Sequence, residues 1–191
     1  MPRELVLLGP RKPVLREYEE RPLKPGEVRI KTVFSAEKHG TMMVLYRGVS
    51  PFEEKYYDEK LAVFIRRRER RSIYPIHLGN MSVGEIVEVG EKVSKFKVGD
   101  RVACAGGGYA CHAEVISVPK NLCIKIPENV SYKQAAFDTL GAIAMQGIRR
   151  ANLTPGEKVA IIGLGLIGHL TCQILKAYGF PVVGFDISPL Q

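Results

Sequence analysis

The chain has 191 residues, of which 46% are hydrophobic and 25% are charged, a composition typical of a globular protein with one large or two small domains. No apolar run approaches the roughly 18 residues of a membrane helix, and the N-terminal apolar patch is too interrupted for a signal peptide. We therefore expect no membrane association and a cytoplasmic location. The formal charge of +8 is compatible with an anionic partner.

The first 36 residues predict β structure. The runs "RELVLL" and "KPVLREYEE" flank a "GPR" turn, and a Pro-Gly turn leads into "EVRIKTVFSA". In that last run Val28, Ile30 and Thr32 share one face. Arg29 and Lys31 share the other face, which is the alternation of a half-buried strand.

A single amphipathic helix is predicted near residues 50–71, as an insertion lying on the β domain. Ser50 suits the N-cap, Pro51 suits the first helical position, and Glu53 completes a capping box. The apolar residues behind this start recur at roughly helical spacing: Phe52, Tyr56, Leu61 and Ile65.

The run "RRRERR", Arg66–Arg71, has two interpretations. Such a cluster occurs in nucleic-acid-binding proteins, but it is also typical of the solvated face of a surface helix. No aromatic residues interleave with the run and no known binding module accompanies it. We therefore favour a solvated helix face and expect no nucleic-acid partner.

Strands resume between residues 83 and 127, where β-branched residues alternate between glycine corners and predict a small, strongly bent sheet or barrel. Cys104, Cys111 and His112 lie around the run "AGGGYA", so a metal site is one interpretation of this segment. Their spacing matches no common zinc signature, and we favour buried or free thiols.

The pattern changes after Pro127. The predicted elements are a helical stretch after Ser131, another ending near Ala151, a strand Lys158–Ile162, a helix Leu166–Tyr178 and a strand Val182–Asp186. The first of these strands is continuously apolar, which predicts burial on both faces, and the last three elements form a βαβ unit. We therefore divide the chain into a β domain, residues 1–130, and an α/β domain, residues 131–191.

Three glycines form a G-x-G-x-x-G pattern at the joint between strand and helix. Gly163 permits a tight turn, Gly165 lets the backbone approach a pyrophosphate, and Gly168 lets helix and strand pack closely. Free amide groups at the helix start attract the phosphates. The predicted cofactor-binding segment consists of Gly163, Leu164, Gly165, Leu166, Ile167 and Gly168.

Asp186 ends the second strand, 18 residues beyond Gly168. A carboxylate at this position accepts hydrogen bonds from the adenosine ribose and repels a 2′-phosphate, which favours NAD over NADP. The alternative is a glycine-rich turn that serves packing alone.

The order of these parts resembles the medium-chain dehydrogenase/reductase superfamily, which includes the zinc alcohol dehydrogenases. The resemblance rests on "VGEIVEVGEKVSKFKVGDRVA", "YACHAEVISVPKNLCIKIPENVSYKQAA" and "GLGLIG", and it extends from about Glu4 to Ser188. It implies a mixed β and α/β fold: a GroES-like β-barrel domain followed by an incomplete Rossmann-type doubly wound parallel sheet. The segments "ACAGGGYACHAEVISVPKNLCIKIP" and "TLGAIAMQGIRRA" resemble more narrowly the dehydrogenase module of bi-domain oxidoreductases of sugar and polysaccharide metabolism.

The resemblance also bears on zinc. Relatives that bind catalytic zinc have a cysteine in "CGTD", a histidine in "GHE" and a second cysteine in the helical stretch that follows. The matching positions here are His39, Asn80 and Ala142, whereas a catalytic site needs three protein donors. The four-cysteine structural lobe of some relatives is absent too, so we expect neither zinc ion.

His39 stands at the first of those positions. A proton donor or acceptor is one interpretation, because histidine titrates near neutral pH, and an ordinary loop histidine is the one we favour. We interpret the other histidines as structural: His77, His112 and His169. Without zinc, the nicotinamide would exchange hydride while polar side chains or water handle the proton.

A Rossmann sheet has strand order 3-2-1-4-5-6, with its first strand in the centre. Only strands one and two are predicted here, so the edge of Lys158–Ile162 that faces strand four would be apolar and unpaired. We therefore expect a missing C-terminal segment, or a second copy of the chain in a homo-oligomer, to complete the sheet.

Three functions follow from these features. The favoured one is an NAD-dependent, zinc-independent oxidoreductase that acts on a small carbonyl, alcohol or sugar-derived substrate and is active in a longer chain. A non-catalytic nucleotide-binding or assembly module is the second, and a nucleic-acid binder that uses Arg66–Arg71 is the third. The resemblance favours the first.

Overall fold

The structure, a computed structural model, describes residues 1–188. It divides into two compact units, of which the first is Met1–Ala136 and the second begins at Phe137. Within residues 1–188 no helix combines the length and the apolar character needed to traverse a lipid bilayer.

Antiparallel strands form most of the first unit. They are β1 (Arg3–Leu7), β2 (Pro13–Glu17), β3 (Glu27–Ala36), β4 (Lys55–Asp58), β5 (Val63–Arg66), β6 (Ile76–His77), β7 (Met81–Val89), β8 (Arg101–Ala105), β9 (Val115–Pro119) and β10 (Cys123–Lys125). A five-stranded sheet has the order β10-β8-β7-β3-β9, and a three-stranded sheet has the order β2-β1-β6. Strand β3 lies inside the larger sheet, and its register with β7 shifts between Arg29 and Ile30 and again between Thr32 and Phe34.

The main core of the first unit lies on one face of the five-stranded sheet. Val28 and Ile30 of β3 are fully buried, whereas Lys31 is exposed and Arg29 forms an ion pair with Glu88. This confirms the predicted alternation along the strand. The buried members of this cluster on the neighbouring strands are Ile86, Val102, Cys104, Ile116, Val118 and Cys123.

The helix predicted for residues 50–71 is wrong. The segment forms a 3₁₀ turn at Pro51–Glu53 and then an antiparallel hairpin of β4 and β5, in which Tyr56 pairs with Ile65. The hairpin turns at Asp58, whose Oδ1 accepts hydrogen bonds from the amides of Lys60 and Leu61, both at 3.0 Å. This Asx turn and the aromatic and β-branched residues on either side of it outweigh a helical spacing of apolar residues.

Ser50 and Glu53, which suggested the start of a long helix, have other roles in the structure. Ser50 accepts a hydrogen bond from the Phe52 amide at 3.4 Å, but Glu53 does not complete a capping box. Its buried carboxylate accepts a hydrogen bond from Nε of Arg70 at 2.6 Å. The cap therefore starts one short turn, and the ion pair then fixes the chain that follows the hairpin.

Two helices also belong to the first unit. Helix α1 (His39–Arg47), which the sequence patterns do not predict, follows β3 and ends at Gly48, whose φ of 71° is left-handed. Helix α2 (Tyr132–Ala135) begins after Ser131 as predicted, with a complete capping box between Ser131 and Gln134.

The second unit consists of a helix and a βαβ segment. Its elements are α3 (Asp138–Ala151), β11 (Val159–Ile162), α4 (Leu166–Ala177) and β12 (Val182–Phe185). Strands β11 and β12 are parallel, with Val159 opposite Val182 and Ile162 opposite Phe185. These bounds agree with the predicted elements to within one residue where bounds were given.

Burial along β11 differs from the prediction. Val159 and Ile161 are half-buried, but Ala160 and Ile162 are exposed, so the strand alternates instead of being buried on both faces. Helix α4 contacts β11, and the exposure of Ala160 and Ile162 shows that the described residues leave the face of these two side chains uncovered.

Candidate functional site

The turn between β11 and α4 has the backbone geometry that the glycine pattern predicts. Gly163 has φ of 95°, a left-handed conformation that residues with a Cβ rarely adopt. Its amide donates a hydrogen bond to the carbonyl of Phe185 at 2.8 Å, so the turn is tied to the end of β12. The chain then enters α4 through Gly165, which is the N-cap residue.

The other two glycines have different surroundings. A Cβ on Gly168 would lie 2.0 Å from the carbonyl oxygen of Gly163, so only glycine permits this approach of helix and turn. A Cβ on Gly165 would meet nothing within 4 Å. The space above Gly165 is therefore open on the side where the pattern predicts a pyrophosphate.

Helix α4 presents an uncapped N-terminus at this open space. No side chain accepts a hydrogen bond at the N-cap, and the first intrahelical acceptor is Gly165, which receives the amide of His169 at 2.9 Å. The preceding amides, those of Leu166, Ile167 and Gly168, have no helical carbonyl to bind. Together with the helix dipole they form a site for an anion such as a phosphate.

Asp186 lies at the rim of the same turn. Its Oδ2 accepts the Leu164 amide at 2.7 Å and its Oδ1 accepts the Ser188 amide at 2.8 Å. The hydrogen bonds from Ser188 and Leu164 lower the pKa of this carboxyl, so it is ionised at neutral pH. Each oxygen retains a lone pair for a further donor, but the Leu164 amide is occupied by the carboxylate and is not available to a phosphate.

The sequence reasoning did not identify one supporting residue. Gly184 of β12 leaves room for the side chain of Leu164, because a Cβ on Gly184 would lie 2.6 Å from a methyl group of that leucine. The signal was a glycine inside an apolar strand, which commonly marks a close approach of another group.

The residues at the zinc-ligand positions offer a poor donor set. His39 is exposed at the first position of α1, and Oδ1 of Asn80 is buried with no hydrogen-bond partner in the part of the chain that the structure describes. Ala142, in α3 of the second unit, contributes only a methyl group. Across residues 1–188 no three His, Cys, Asp or Glu side chains group together as metal ligands.

Cys104 and Cys111, for which a metal site was one interpretation, belong to no group of three potential metal ligands in residues 1–188. Sγ of Cys104 is 3.6 Å from Sγ of Cys123 on the adjacent strand β10, and both residues are buried. Burial raises the pKa of the Cys111 thiol. In the absence of a metal ion, this favours the thiol form of Cys111.

His112, interpreted from sequence as structural, is the centre of a polar cluster. Nδ1 of His112 lies 2.7 Å from Oγ of Ser35, and Nε2 lies 2.6 Å from Oε2 of Glu37. With Glu37 ionised, Nε2–H donates to the carboxylate and Nδ1 accepts the Ser35 hydroxyl proton. We call Ser35, Glu37 and His112 the His112 cluster.

The topology explains why the His112 cluster was missed. Ser35 and Glu37 lie at the end of β3, while His112 precedes β9, which pairs with β3. The cluster therefore depends on the pairing of strands that are about 75 residues apart, as the separation of Glu37 and His112 shows. No local pattern indicates that pairing.

Comparison with known proteins identifies relatives over the whole chain. Residues 24–128 match the family described as alcohol dehydrogenase GroES-like domain. The chain is 37% identical over 193 aligned residues to D-guloside 3-dehydrogenase of Escherichia coli K12, and this alignment covers 98% of the chain and 54% of the relative. The chain thus spans about half the length of this curated relative.

Solved structures agree with that assignment of the fold. The 2R,3R-butanediol dehydrogenase of Bacillus subtilis superposes with a TM-score of 0.74 at 25% identity, covering 99% of this chain and 64% of that one. An alcohol dehydrogenase of Escherichia coli CFT073, solved in complex with NADH, superposes with a TM-score of 0.78 at 24% identity, covering 98% of this chain and 57% of that one. The predicted fold class, a GroES-like β domain followed by part of a Rossmann-type sheet, is confirmed.

Proposed function

Because the chain belongs to the alcohol dehydrogenase family with a GroES-like domain, within the medium-chain dehydrogenase/reductase superfamily, we propose that it functions as an NAD-dependent oxidoreductase. The reaction is hydride transfer to or from a small carbonyl, alcohol or sugar-derived substrate. The observation that carries the proposal is the open glycine turn at Gly163–Gly168 with an ionised carboxylate at its rim.

The residues of the second unit suit the adenosine side of NAD. The uncapped amides at the start of α4 would hold the pyrophosphate above Gly165, where no side chain intrudes. Asp186 would accept the ribose hydroxyls with the lone pairs left after its bonds to Leu164 and Ser188. The same negative charge disfavours the 2′-phosphate of NADP. When bound, the nicotinamide supplies the hydride chemistry.

We propose further that the reaction does not use zinc. The three ligand positions hold an imidazole, an amide and a methyl group, and the methyl group of Ala142 cannot donate an electron pair. An exchange of hydride then requires a protein group or water to move the substrate proton.

The His112 cluster is the best-prepared group for that proton. A histidine that donates from Nε2 to Glu37 can accept a proton on Nδ1 from the Ser35 hydroxyl, and Ser35 is an exposed residue. In alcohol oxidation the Ser35 hydroxyl would accept the substrate proton as its own passes to His112. In carbonyl reduction the two transfers run in reverse. His39 has no such partners among residues 1–188.

NADH binding tests the cofactor proposal on this chain, since the proposed adenosine contacts lie within residues 159–188. We expect Asp186→Asn to raise the Kd for NADH about tenfold, as the loss of charged hydrogen bonds to the ribose implies, and to reduce the preference over NADPH. Glu157→Gln removes an exposed carboxylate outside the turn of the same unit and should leave both affinities unchanged. Equal NADH affinity in wild type and Asp186→Asn would refute the ribose contact.

Activity tests the proton group and the metal. The relatives at 37% identity are named D-guloside 3-dehydrogenase, so a methyl D-guloside is the first substrate to assay. We expect His112→Gln to lower kcat about 100-fold and His39→Gln to change it less than about threefold. Reduction of NAD by that substrate should survive dialysis against a chelator. These assays use a chain extended to the length of its relatives, because this chain spans 54% of the curated relative. Loss of activity on chelation would overturn the zinc-free proposal, and NADH binding without turnover of any such substrate would favour a non-catalytic module.

A further inference from the structure

The hairpin of β4 and β5 borders a cavity that the proposed oxidoreductase chemistry does not use. Its volume is about 500 Å³, within the range of small-molecule sites. Three cations and three aromatic side chains line most of it: Lys55, Arg67, Arg71, Phe52, Tyr56 and Tyr57. No carboxylate lines this cavity, which we call the hairpin pocket.

The arginines of the hairpin pocket are held at fixed backbone positions. The amide of Arg67 donates to the carbonyl of Glu54 at 2.6 Å, and the amide of Arg71 donates to the carbonyl of Glu53 at 2.8 Å. Between them, Arg70 pairs with the buried carboxylate of Glu53 and donates to the carbonyl of Gly48 at 3.1 Å. A basic segment held in this way loses little conformational entropy when a ligand binds.

Within the described part of the chain, Arg67 has no acidic partner for its charge. Its guanidinium carbon lies 5.3 Å from the centre of the Tyr56 ring, a cation–π contact. Its Nε is buried and makes no hydrogen bond to any residue in 1–188. Nε itself is shielded from a ligand, but Arg67 lines the cavity and has no carboxylate partner in residues 1–188, so its guanidinium charge can attract an anion there.

The aromatic side chains add an apolar face with hydroxyl groups. Phe52 is 52% exposed and Tyr57 is 51% exposed, so their rings are accessible to a ligand. The phenol hydroxyls of Tyr56 and Tyr57 have no hydrogen-bond partner within the described residues. A ligand that fits these groups has an apolar face, several hydroxyls and a negative charge.

We propose that the hairpin pocket binds a sugar that carries a phosphate or a carboxylate. The anionic group would pair with Arg67 and Arg71 as a bidentate acceptor, while the C–H face of the sugar ring packs on an aromatic ring and its hydroxyls bond to the tyrosines. An open pocket of about 500 Å³ has room for a single sugar, whereas a nucleic-acid strand would need an extended groove. None of the residues that line the hairpin pocket belongs to the proposed NAD site.

Calorimetric titration of the chain with glucose 6-phosphate, glucuronate and glucose tests the proposal. At least one of the two anions should bind at least tenfold more tightly than glucose, and the comparison of the two shows whether phosphate or carboxylate is preferred. Arg67→Gln should weaken binding of that anion at least tenfold. Arg68→Gln is the matched control, because it removes the same charge from an exposed residue next in sequence that does not line the cavity.

Several outcomes would overturn the inference. They are the absence of binding by both anions, an equal loss in Arg67→Gln and Arg68→Gln, and inorganic phosphate that binds as tightly as glucose 6-phosphate. If a thymidine octanucleotide binds more tightly than either sugar anion, with an affinity that falls steeply as salt rises, the ligand of the pocket is a nucleic acid and not a sugar. NADH affinity, measured on the same variants, should not change, so failure here is distinguishable from failure of the proposed function.

Discussion

The two units of the chain are stabilised to very different degrees by apolar burial. The first unit encloses a core against its five-stranded sheet, with Val28, Ile30 and Ile86 fully buried. In the described part of the second unit, the buried apolar residues are Leu140, Ala144 and Leu175. Apolar side chains at the ends of its strands are exposed instead, such as Ile162 at 89% and Phe185 at 55%.

This difference shows that side-chain burial positions the first unit, whereas backbone geometry positions the turn of the second. The strands of the first unit are positioned by what they bury, so many side chains share in fixing each position. The turn of the second unit is positioned by backbone geometry, namely the left-handed Gly163 and the contact of Gly168 with its carbonyl. A phosphate-binding turn therefore needs little core around it, but it depends strongly on single residues.

Gly168→Ala should have the largest effect. The added methyl group would lie 2.0 Å from the Gly163 carbonyl oxygen, so helix and turn must separate. We expect a loss above about 4 kcal/mol in the second unit, because a backbone contact cannot rotate away. Hydrogen-exchange mass spectrometry, which reads each unit separately, should show fast exchange beyond Phe137 and unchanged exchange in Met1–Ala136.

Gly165→Ala is the control for that substitution. Its φ of −67° is open to any residue and its Cβ meets nothing, so hydrogen exchange should match the wild type. NADH affinity should nevertheless fall, since the methyl group enters the proposed pyrophosphate space. If both alanine variants leave the exchange unchanged, backbone geometry does not govern this unit.

Leu175→Ala tests the thin core. Removing a fully buried leucine costs about 2–5 kcal/mol, and few other buried residues remain to compensate in the second unit. Ile86→Ala is the counterpart in the first unit, at a similar cost. We expect Leu175→Ala to unfold its unit at a urea concentration where wild type is folded, and Ile86→Ala to lower the midpoint without loss of native exchange protection in water. If the two substitutions destabilise their units equally, the two units do not differ in how far they depend on single buried residues.

The same distinction explains which features the sequence predicted. The glycine turn and the elements of the βαβ unit depend on local residue types, and they are where the patterns place them. The hairpin was missed because the spacing of Tyr56, Leu61 and Ile65 fits a helix. The Asx turn at Asp58 instead reverses the chain direction, so that the residues on either side pair as strands. The His112 cluster was missed because it depends on the pairing of β3 with β9, which no local pattern encodes.

Glu27→Gln tests an ion pair of the first unit through pH. The buried carboxylate of Glu27 accepts hydrogen bonds from Arg21 at 2.7 and 2.8 Å, and the hydrogen bond from Arg21 lowers its pKa from 4.5. A lowered pKa stabilises the folded state above pH 4.5 and ceases to do so as the pH falls through the folded-state value.

We therefore expect Glu27→Gln to lose about 2 kcal/mol at pH 7, as for hydrogen bonds to a charged group. The difference between wild type and variant should shrink as the pH falls below 4.5, measured by urea unfolding at each pH. A difference that stays constant down to the acid unfolding transition would mean that the charge of Glu27 contributes nothing. At every pH, the urea unfolding of the second unit should be the same in Glu27→Gln as in wild type.

Ser131→Ala should have the smallest effect, because it removes a single cap at the end of the first unit. Ser131 Oγ accepts the Gln134 amide at 3.3 Å, and the Gln134 side chain accepts the Ser131 amide at 2.9 Å. Loss of such a cap costs about 1 kcal/mol, and the packing of Ala135 and Ala136 against Val83 keeps α2 in place. We expect a small shift in the urea midpoint of the first unit, with Ser131→Thr restoring it. A loss of unfolding free energy as large as that of Ile86→Ala would show that a local backbone contact can dominate in the first unit as well. Burial alone would then not account for the difference between the two units.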